Sequence, residues 1–219
     1  MESPTHDIPP ERDWISRMLL ASTPAAPEEF LRTLAGDRHY AVRRAVAANL
    51  RTPRELLVTL TNDREWKVRA AAAGNLRTPP HSLAQLAAQP QQEVREAAAK
   101  NPNTPENVLL ALAQDREPRV RMAVAANPAL PDAVQQRLAA SDYWGIRAFA
   151  ASNPCAAGEV LAKLSRDAHW SVRMAVAGNP AAAPELLAAL FRDPDPRVRG
   201  AIGENPSFSV EMLQEFLKK

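Results

Sequence analysis

The chain has 219 residues, 46% of them hydrophobic but only 5% aromatic, and a formal charge of +2. That charge is too small to demand a polyanionic partner, and a single cysteine, Cys155, excludes an intrachain disulfide framework and any cysteine-built zinc or iron–sulfur site within one chain. No stretch approaches the ~20 apolar residues of a membrane span; the opening MESPTHDIPPERDW has neither a basic nor an apolar leader region, so no signal peptide and a reducing, cytoplasmic setting are expected.

Taken in chain order, residues 1–10 carry three prolines and no periodicity, and are expected to form an N-terminal arm. Residues 11–219 are expected to form one repeat domain. A Val-Arg pair recurs at Val42-Arg43, Val68-Arg69, Val94-Arg95, Val120-Arg121, Ile146-Arg147, Val172-Arg173 and Val198-Arg199, always 26 residues apart. Asparagine keeps the same step at Asn49, Asn75, Asn101, Asn127, Asn153, Asn179 and Asn205. One step back, WISRMLLASTP reads as a degenerate first unit with Arg17 in the Arg column and Thr23 in the Asn column. The units are then 11–36, 37–62, 63–88, 89–114, 115–140, 141–166, 167–192 and 193–219. A fixed period of this length marks a stacked-repeat architecture.

Each unit predicts two helices. The first is expected to follow an Asp column, Asp37, Asp63, Asp115, Asp167 and Asp193, with Ser141 as a substitute and Gln89 as a lapse. Asp and Ser are good N-caps, and in DPDPRVR the first proline, Pro194, would take the first helical position. This helix should run about eleven residues to the Asn column, where a following proline in five of seven units forces it to stop. The second helix should open at TPRE (52–55), with Thr52 as cap, Pro53 at the first helical position and Glu55 closing a capping box, and less perfectly at TPEN (104–107). Val42, Ala45 and Val46 form an i, i+3, i+4 stripe for the core. The Ala47 column (Ala73, Ala99, Ala125, Ala151, Ala177, Gly203) lies off that stripe yet stays tiny, which predicts a close contact with the neighbouring unit. Columns 41, 44 and 48 vary freely, and Phe149, standing where other units have Ala, should mark a local adjustment.

These columns, written D-x-x-x-x-VR-x-AVA-x-NP-x-TP-x-x-x-L-x-x-L and seen in DREPRVRMAVAANPALPDAVQQRLA (115–139), resemble the leucine-rich repeat variant family. The resemblance covers nearly the whole chain; bacterial HEAT-type repeats share the D…VR…A half. It implies an all-α, right-handed α-solenoid of about eight 26-residue two-helix repeats, the second helix short or partly 3-10, and no strands. The family lends no common catalytic activity. Some members carry an N-terminal cysteine cluster that binds iron–sulfur; no cysteine precedes Cys155, so no cofactor is carried over.

Two readings stand for the Arg column. Arg17, Arg43, Arg69, Arg95, Arg121, Arg147, Arg173 and Arg199 either form a structural ladder onto Asp-column carboxylates and loop carbonyls, or present a cationic stripe to an acidic ligand. The Asn column reads as structural, because Asn hydrogen-bonds turn backbone. The aromatic column, Trp14, Tyr40, Trp66, Trp144 and Trp170, broken by Gln92, Pro118 and Pro196, either covers the seam between units or supplies anchors, with Tyr143 and His169 nearby. Trp66, Met122, Trp144, Trp170 and Met174 are the candidate protein-binding residues. The basic N-terminal units offer Arg44, Arg51, Arg54, Lys67 and Arg77 as candidates for nucleic-acid phosphates, as on the similar scaffolds of some HEAT-like DNA glycosylases.

The four histidines show no metal-ligand spacing, and there is no HExxH, Walker glycine loop or G-x-S-x-G. The expected function is a non-enzymatic bacterial scaffold for a protein or peptide, without metal or cofactor; the alternative is DNA or RNA backbone binding. A monomer is expected, or weak self-association through the C-terminal Phe208, Met212 and Phe216.

Overall fold

The computed structural model describes residues 13–212 and 214; the N-terminal arm and Phe216 lie outside the described residues. No strand occurs among the described residues; residues 210–212 and 214 are helical, and fifteen other α-helices lie wholly among the described residues. In chain order they are α1 (Trp14–Ser22), α2 (Glu28–Leu34), α3 (Tyr40–Ala48), α4 (Arg54–Leu60), α5 (Trp66–Gly74), α6 (Pro80–Ala87), α7 (Gln92–Lys100), α8 (Glu106–Leu112), α9 (Pro118–Ala125), α10 (Asp132–Leu138), α11 (Trp144–Ser152), α12 (Gly158–Leu164), α13 (Trp170–Ala177), α14 (Pro184–Leu190) and α15 (Pro196–Gly203). No helix among them is long and apolar enough to cross a membrane. Contacts gather into two compact units, one ending at Val108 and the other beginning at Leu109.

Both units are α-solenoids built in the same way. In the first, α1, α3, α5 and α7 pack side by side, with α2, α4 and α6 behind them; in the second, α9, α11, α13 and α15 stack likewise over α10, α12 and α14. The odd-numbered helices bury the expected stripe: Val42, Val46, Val68, Val94, Val120, Ile146, Val172 and Val198 have no solvent exposure. Removing each such branched side chain from water stabilises by roughly 1.5–3 kcal/mol. Ala47, Ala73, Ala99, Ala125, Ala151 and Ala177 are closed as well, which lets one helix approach the backbone of the next, while Gly203 at the end of the column is exposed. The even-numbered helices contribute leucines, among them Leu31, Leu57, Leu83, Leu161 and Leu187. In that leucine column the second unit holds Gln135, buried and satisfied: its amide nitrogen donates to the carbonyls of Leu130 and Cys155, and its oxygen accepts from the Ala157 amide.

Several local expectations are corrected. The Asp column does not cap. Each odd-numbered helix begins two or three residues later and runs eight or nine residues rather than eleven. Asp37, Asp63, Asp115, Asp167 and Asp193 instead accept from the amide two residues on, forming a turn that aims the chain into the helix. The caps are the residues that follow: the Nδ1 atoms of His39 and His169 accept from Ala41 and Ser171, and the Asp195 carboxylate accepts from Arg197. In DPDPRVR it is therefore Pro196, not Pro194, that enters the first turn.

The threonines do not cap either. Thr52, Thr78 and Thr104 turn inward and donate their hydroxyls to the carbonyls of Val46, Ala72 and Ala98, oxygens of the last helical turn that also accept from the Asn49, Asn75 and Asn101 amides. Pro53 is the cap residue of α4, and Glu55 pairs with Arg32 rather than closing a box. The even-numbered helices are α-helical turns of seven or eight residues, with no 3-10 segment among the described residues. Asn at the helix end is extended whether Pro follows or not: Asn49 and Asn75 precede leucine and end their helices all the same.

Candidate functional site

Two polar columns are consumed inside the stack. Arg43 reaches forward to the Asp63 carboxylate, with Nε and Nη2 at 2.6 and 2.8 Å, while Nη1 donates back to the carbonyls of Asp37 and Arg38. Arg17–Asp37, Arg147–Asp167 and Arg173–Asp193 repeat the forward pair at 2.6 Å. Burial works against the charge on Asp63. The hydrogen bond from Arg43, the Glu65 amide and the Arg43 charge together outweigh it, and the carboxyl stays below its ordinary value. Asp37 and Asp167 follow the same balance, whereas at Asp193 the Arg173 hydrogen bond dominates. The Arg43, Arg147 and Arg173 guanidiniums are raised, chiefly by the same hydrogen bonds. Arg69, Arg95, Arg121 and Arg199 make the backward bonds to loop carbonyls. Opposite Arg69 the Asp column lapses to Gln89; its Nη2 takes Gln91 at 2.9 Å, and its buried Nε has no partner.

The Asn column is as fully used. Asn75 donates from Nδ2 to the carbonyls of Ala47 and Asn49, 28 and 26 residues back, and its oxygen accepts from the Arg77 amide. Asn49, Asn101, Asn153, Asn179 and Asn205 repeat both donations, and every Asn of the column, Asn127 included, accepts from the amide two residues on.

What remains for a ligand lies on the exposed face of the odd-numbered helices. In the first unit Tyr40, Arg44 and Ala48 of α3 face Trp66, Lys67, Ala70 and Ala71 of α5 across a cleft of about 520 Å³. The spacing i, i+4, i+8 puts the α3 residues on one stripe. The Lys67 ammonium stands 5.2 Å from the Tyr40 ring and 5.7 Å from the Trp66 ring, a cation–π arrangement. Trp66, a protein-binding candidate, is thus brought together with Arg44 and Lys67, two nucleic-acid candidates. Arg51, Arg54 and Arg77 are exposed in the segments that follow the odd-numbered helices and do not line this cleft; Arg77 donates to the carbonyls of Leu50 and Arg51.

In the second unit Met122, Tyr143, Trp144, Gly145, Ala148, Phe149 and Ser152 line a cleft of about 200 Å³. Phe149 and Ser152 also border one of about 300 Å³ against Ala125, Ala126, Pro128, Pro154 and Cys155. Phe149, 42% exposed, divides a groove that small alanines leave open in the first unit. Trp144 is 42% exposed, while its ring stacks on His169 at 4.2 Å. Trp170 is covered by the Arg197 guanidinium at 3.3 Å, and Met174 is half-buried; neither lines these clefts.

Histidine was weighed in the sequence only as a metal ligand or neighbour, and its structural use was missed. His39 and His169 cap one helix while stacking on the aromatic of the preceding one, Trp14 and Trp144. The signal was present: each stands 25 residues after that aromatic. Among the described residues no group of His, Cys, Asp or Glu is arranged to hold a metal.

Family models described as leucine rich repeat variant domain and leucine rich repeat variant match residues 146–206 and 93–117. A solved structure described as a leucine-rich repeat variant with a novel repetitive structural motif is 31% identical over 88% of this chain and 83% of its own, with a TM-score of 0.56. An engineered protein is 17% identical over 93% of this chain and 73% of its own, at a TM-score of 0.40. No curated protein matches.

Proposed function

The chain belongs to the leucine-rich repeat variant family, and from that premise we propose that it is a non-enzymatic cytoplasmic scaffold that binds a protein or peptide along the exposed face of its odd-numbered helices. One observation carries this reading. The repeated Asn column, and the Arg column wherever an Asp faces it, spend their hydrogen bonds inside the stack, while the side chains lining the clefts differ from helix to helix. A uniform interior with a variable lining is what recognition by a stacked-repeat surface requires. Anchoring would come from large aromatic or thioether groups at cleft walls, Trp66 in the first unit and Met122 and Trp144 in the second. Capture of partners from a bacterial lysate, with wild type against Trp66→Ala/Trp144→Ala/Trp170→Ala, tests it. Unchanged capture by the folded triple variant would reject those anchors.

Nucleic-acid binding is the second reading, because aromatic rings beside cations also suit bases and phosphates, and Arg44, Lys67, Tyr40 and Trp66 share one cleft. It predicts a DNA or RNA mobility shift at ~50 mM salt that weakens steeply as salt rises; no shift at that salt rejects it.

A further inference from the structure

Within the scaffold reading, the cleft between α3 and α5 is specific in its chemistry. Arg44 and Lys67 project into it, and among the described residues no carboxylate is paired with either. Of the other exposed cations of this unit, Arg32 pairs with Glu28 and Glu55 and Lys100 with Glu96, while Arg51, Arg54, Arg64 and Arg77 have no carboxylate partner among the described residues but stand outside this cleft. The two cations are exposed but stand beside aromatic and methyl surface, since Tyr40, Trp66, Ala48, Ala70 and Ala71 make up the rest of the lining. Such a surface attracts anions and also offers apolar contact to what lies between them.

The surroundings set the length and polarity of the occupant. One 26-residue step beyond Lys67 stands Glu93, exposed on α7, and two steps beyond Arg44 stands Glu96 on the same helix. The positive region is therefore bounded on that side by the Glu93 carboxylate and the Glu96–Lys100 ion pair, and a polyanion running on across the helices would meet Glu93. On the other side α1 presents Ile15 and Leu19, 51% and 59% exposed.

We propose that this cleft binds a short acidic peptide segment, its carboxylates held by Arg44 and Lys67 between the Tyr40 and Trp66 rings and its aliphatic side chains set against Ala48, Ala70 and Ala71. In an extended segment alternate side chains lie about 6.6–7 Å apart on one side, a separation that suits two cations on facing helices about 8–10 Å between axes. The proposal rests on the scaffold reading and names the class of partner for one of its clefts.

The test uses the full chain and fluorescein-labelled twelve-residue peptides, read by anisotropy at ~50 mM salt: one alternating Glu with Leu, its Gln counterpart and its Lys counterpart, with a twelve-nucleotide oligo-dT as competitor. The Glu peptide is expected to bind about tenfold more tightly than the Gln peptide, the size expected of two partly screened contacts. Arg44→Glu/Lys67→Glu, both exposed positions, should reverse the preference toward the Lys peptide with an unchanged melting curve. Trp66→Ala should weaken the Glu peptide, and Trp144→Ala should not. Equal binding of the Glu and Gln peptides, or a preference that survives the double reversal, overturns the proposal while leaving a scaffold of other specificity standing. Displacement of the Glu peptide by oligo-dT, lost in the same double variant, overturns it in favour of nucleic acid. If no peptide binds and the lysate yields no partner, the proposal and the scaffold reading fall together.

Discussion

Gln89 interrupts the Asp column, and restoring the carboxylate should stabilise the protein. Arg69 makes its two backward bonds to the carbonyls of Asp63 and Arg64, but forward it has only the Gln91 amide oxygen, and its buried Nε is unpaired. Gln89→Asp places an acceptor twenty residues ahead of Arg69, the separation that joins Arg43 to Asp63 and Arg173 to Asp193. Asp193 is followed by Pro194 in the same turn, so an Asp-Pro pair fits the backbone at 89–90. Two charge-assisted hydrogen bonds gross roughly 1.5–3 kcal/mol each. Desolvating the new carboxylate and surrendering the Gln91 contact remove much of that, leaving a net gain of about 1–2 kcal/mol. For a chain of this size that is a rise in Tm of about 2–8 °C. Circular dichroism melts of wild type, Gln89→Asp, Arg69→Met and the double variant form a cycle. The same gain in the Arg69→Met background, or no gain at all, would refute the ladder as the origin of the stabilisation.

Three further outcomes follow from the same geometry. Val120→Asp buries an unpaired charge at a site with no exposure and should cost about 3–5 kcal/mol by urea denaturation, whereas Arg119→Asp, exposed one residue earlier, should stay within about 0.5 kcal/mol; equal shifts would show that the helical register is wrong. Asn75→Ala strips two donors from the carbonyls of Ala47 and Asn49 and an acceptor from the Arg77 amide, for a loss of about 3–5 kcal/mol, while a loss under about 1 kcal/mol would show that water replaces the side chain. Asp37, Asp63, Asp167 and Asp193 are held below the unfolded value of 3.8 in the fold, so the stability they contribute is complete above that value and disappears as pH falls through their depressed values. Denaturation midpoints measured from pH 6 to pH 2 should therefore drop most steeply below about pH 4, and Asp63→Asn should flatten part of that drop; an unchanged slope would contradict the pairing.

The period, the core stripe and the small Ala47 column were legible in the sequence because each repeats in register and helical geometry does the rest. The caps were not. A composition rule assigns Asp, Thr and Pro to helix starts by local chemistry, but at Asp37 and Thr52 the winning partners are a guanidinium twenty residues back and a carbonyl six residues back. Local rules cannot see such competition. The cleft was half legible. Tyr40, Arg44 and Ala48 share a face by spacing alone, yet their meeting with Trp66, Lys67 and Ala71 depends on how α5 rolls against α3, which no column displays. Gln135 was hidden for a similar reason: a polar residue in a leucine column looks like an exception until the Cys155 carbonyl and the Ala157 amide appear beside it.

Asn49, Asn75, Asn101, Asn153, Asn179 and Asn205 each close hydrogen bonds on backbone 26 and 28 residues earlier and on their own turn. Excising or duplicating a whole 26-residue module within a unit would therefore present the next asparagine with the same three partners. Unequal crossing-over between repeats could then lengthen or shorten such an array in a single genetic step without orphaning a donor, leaving selection free to act on the groove linings alone.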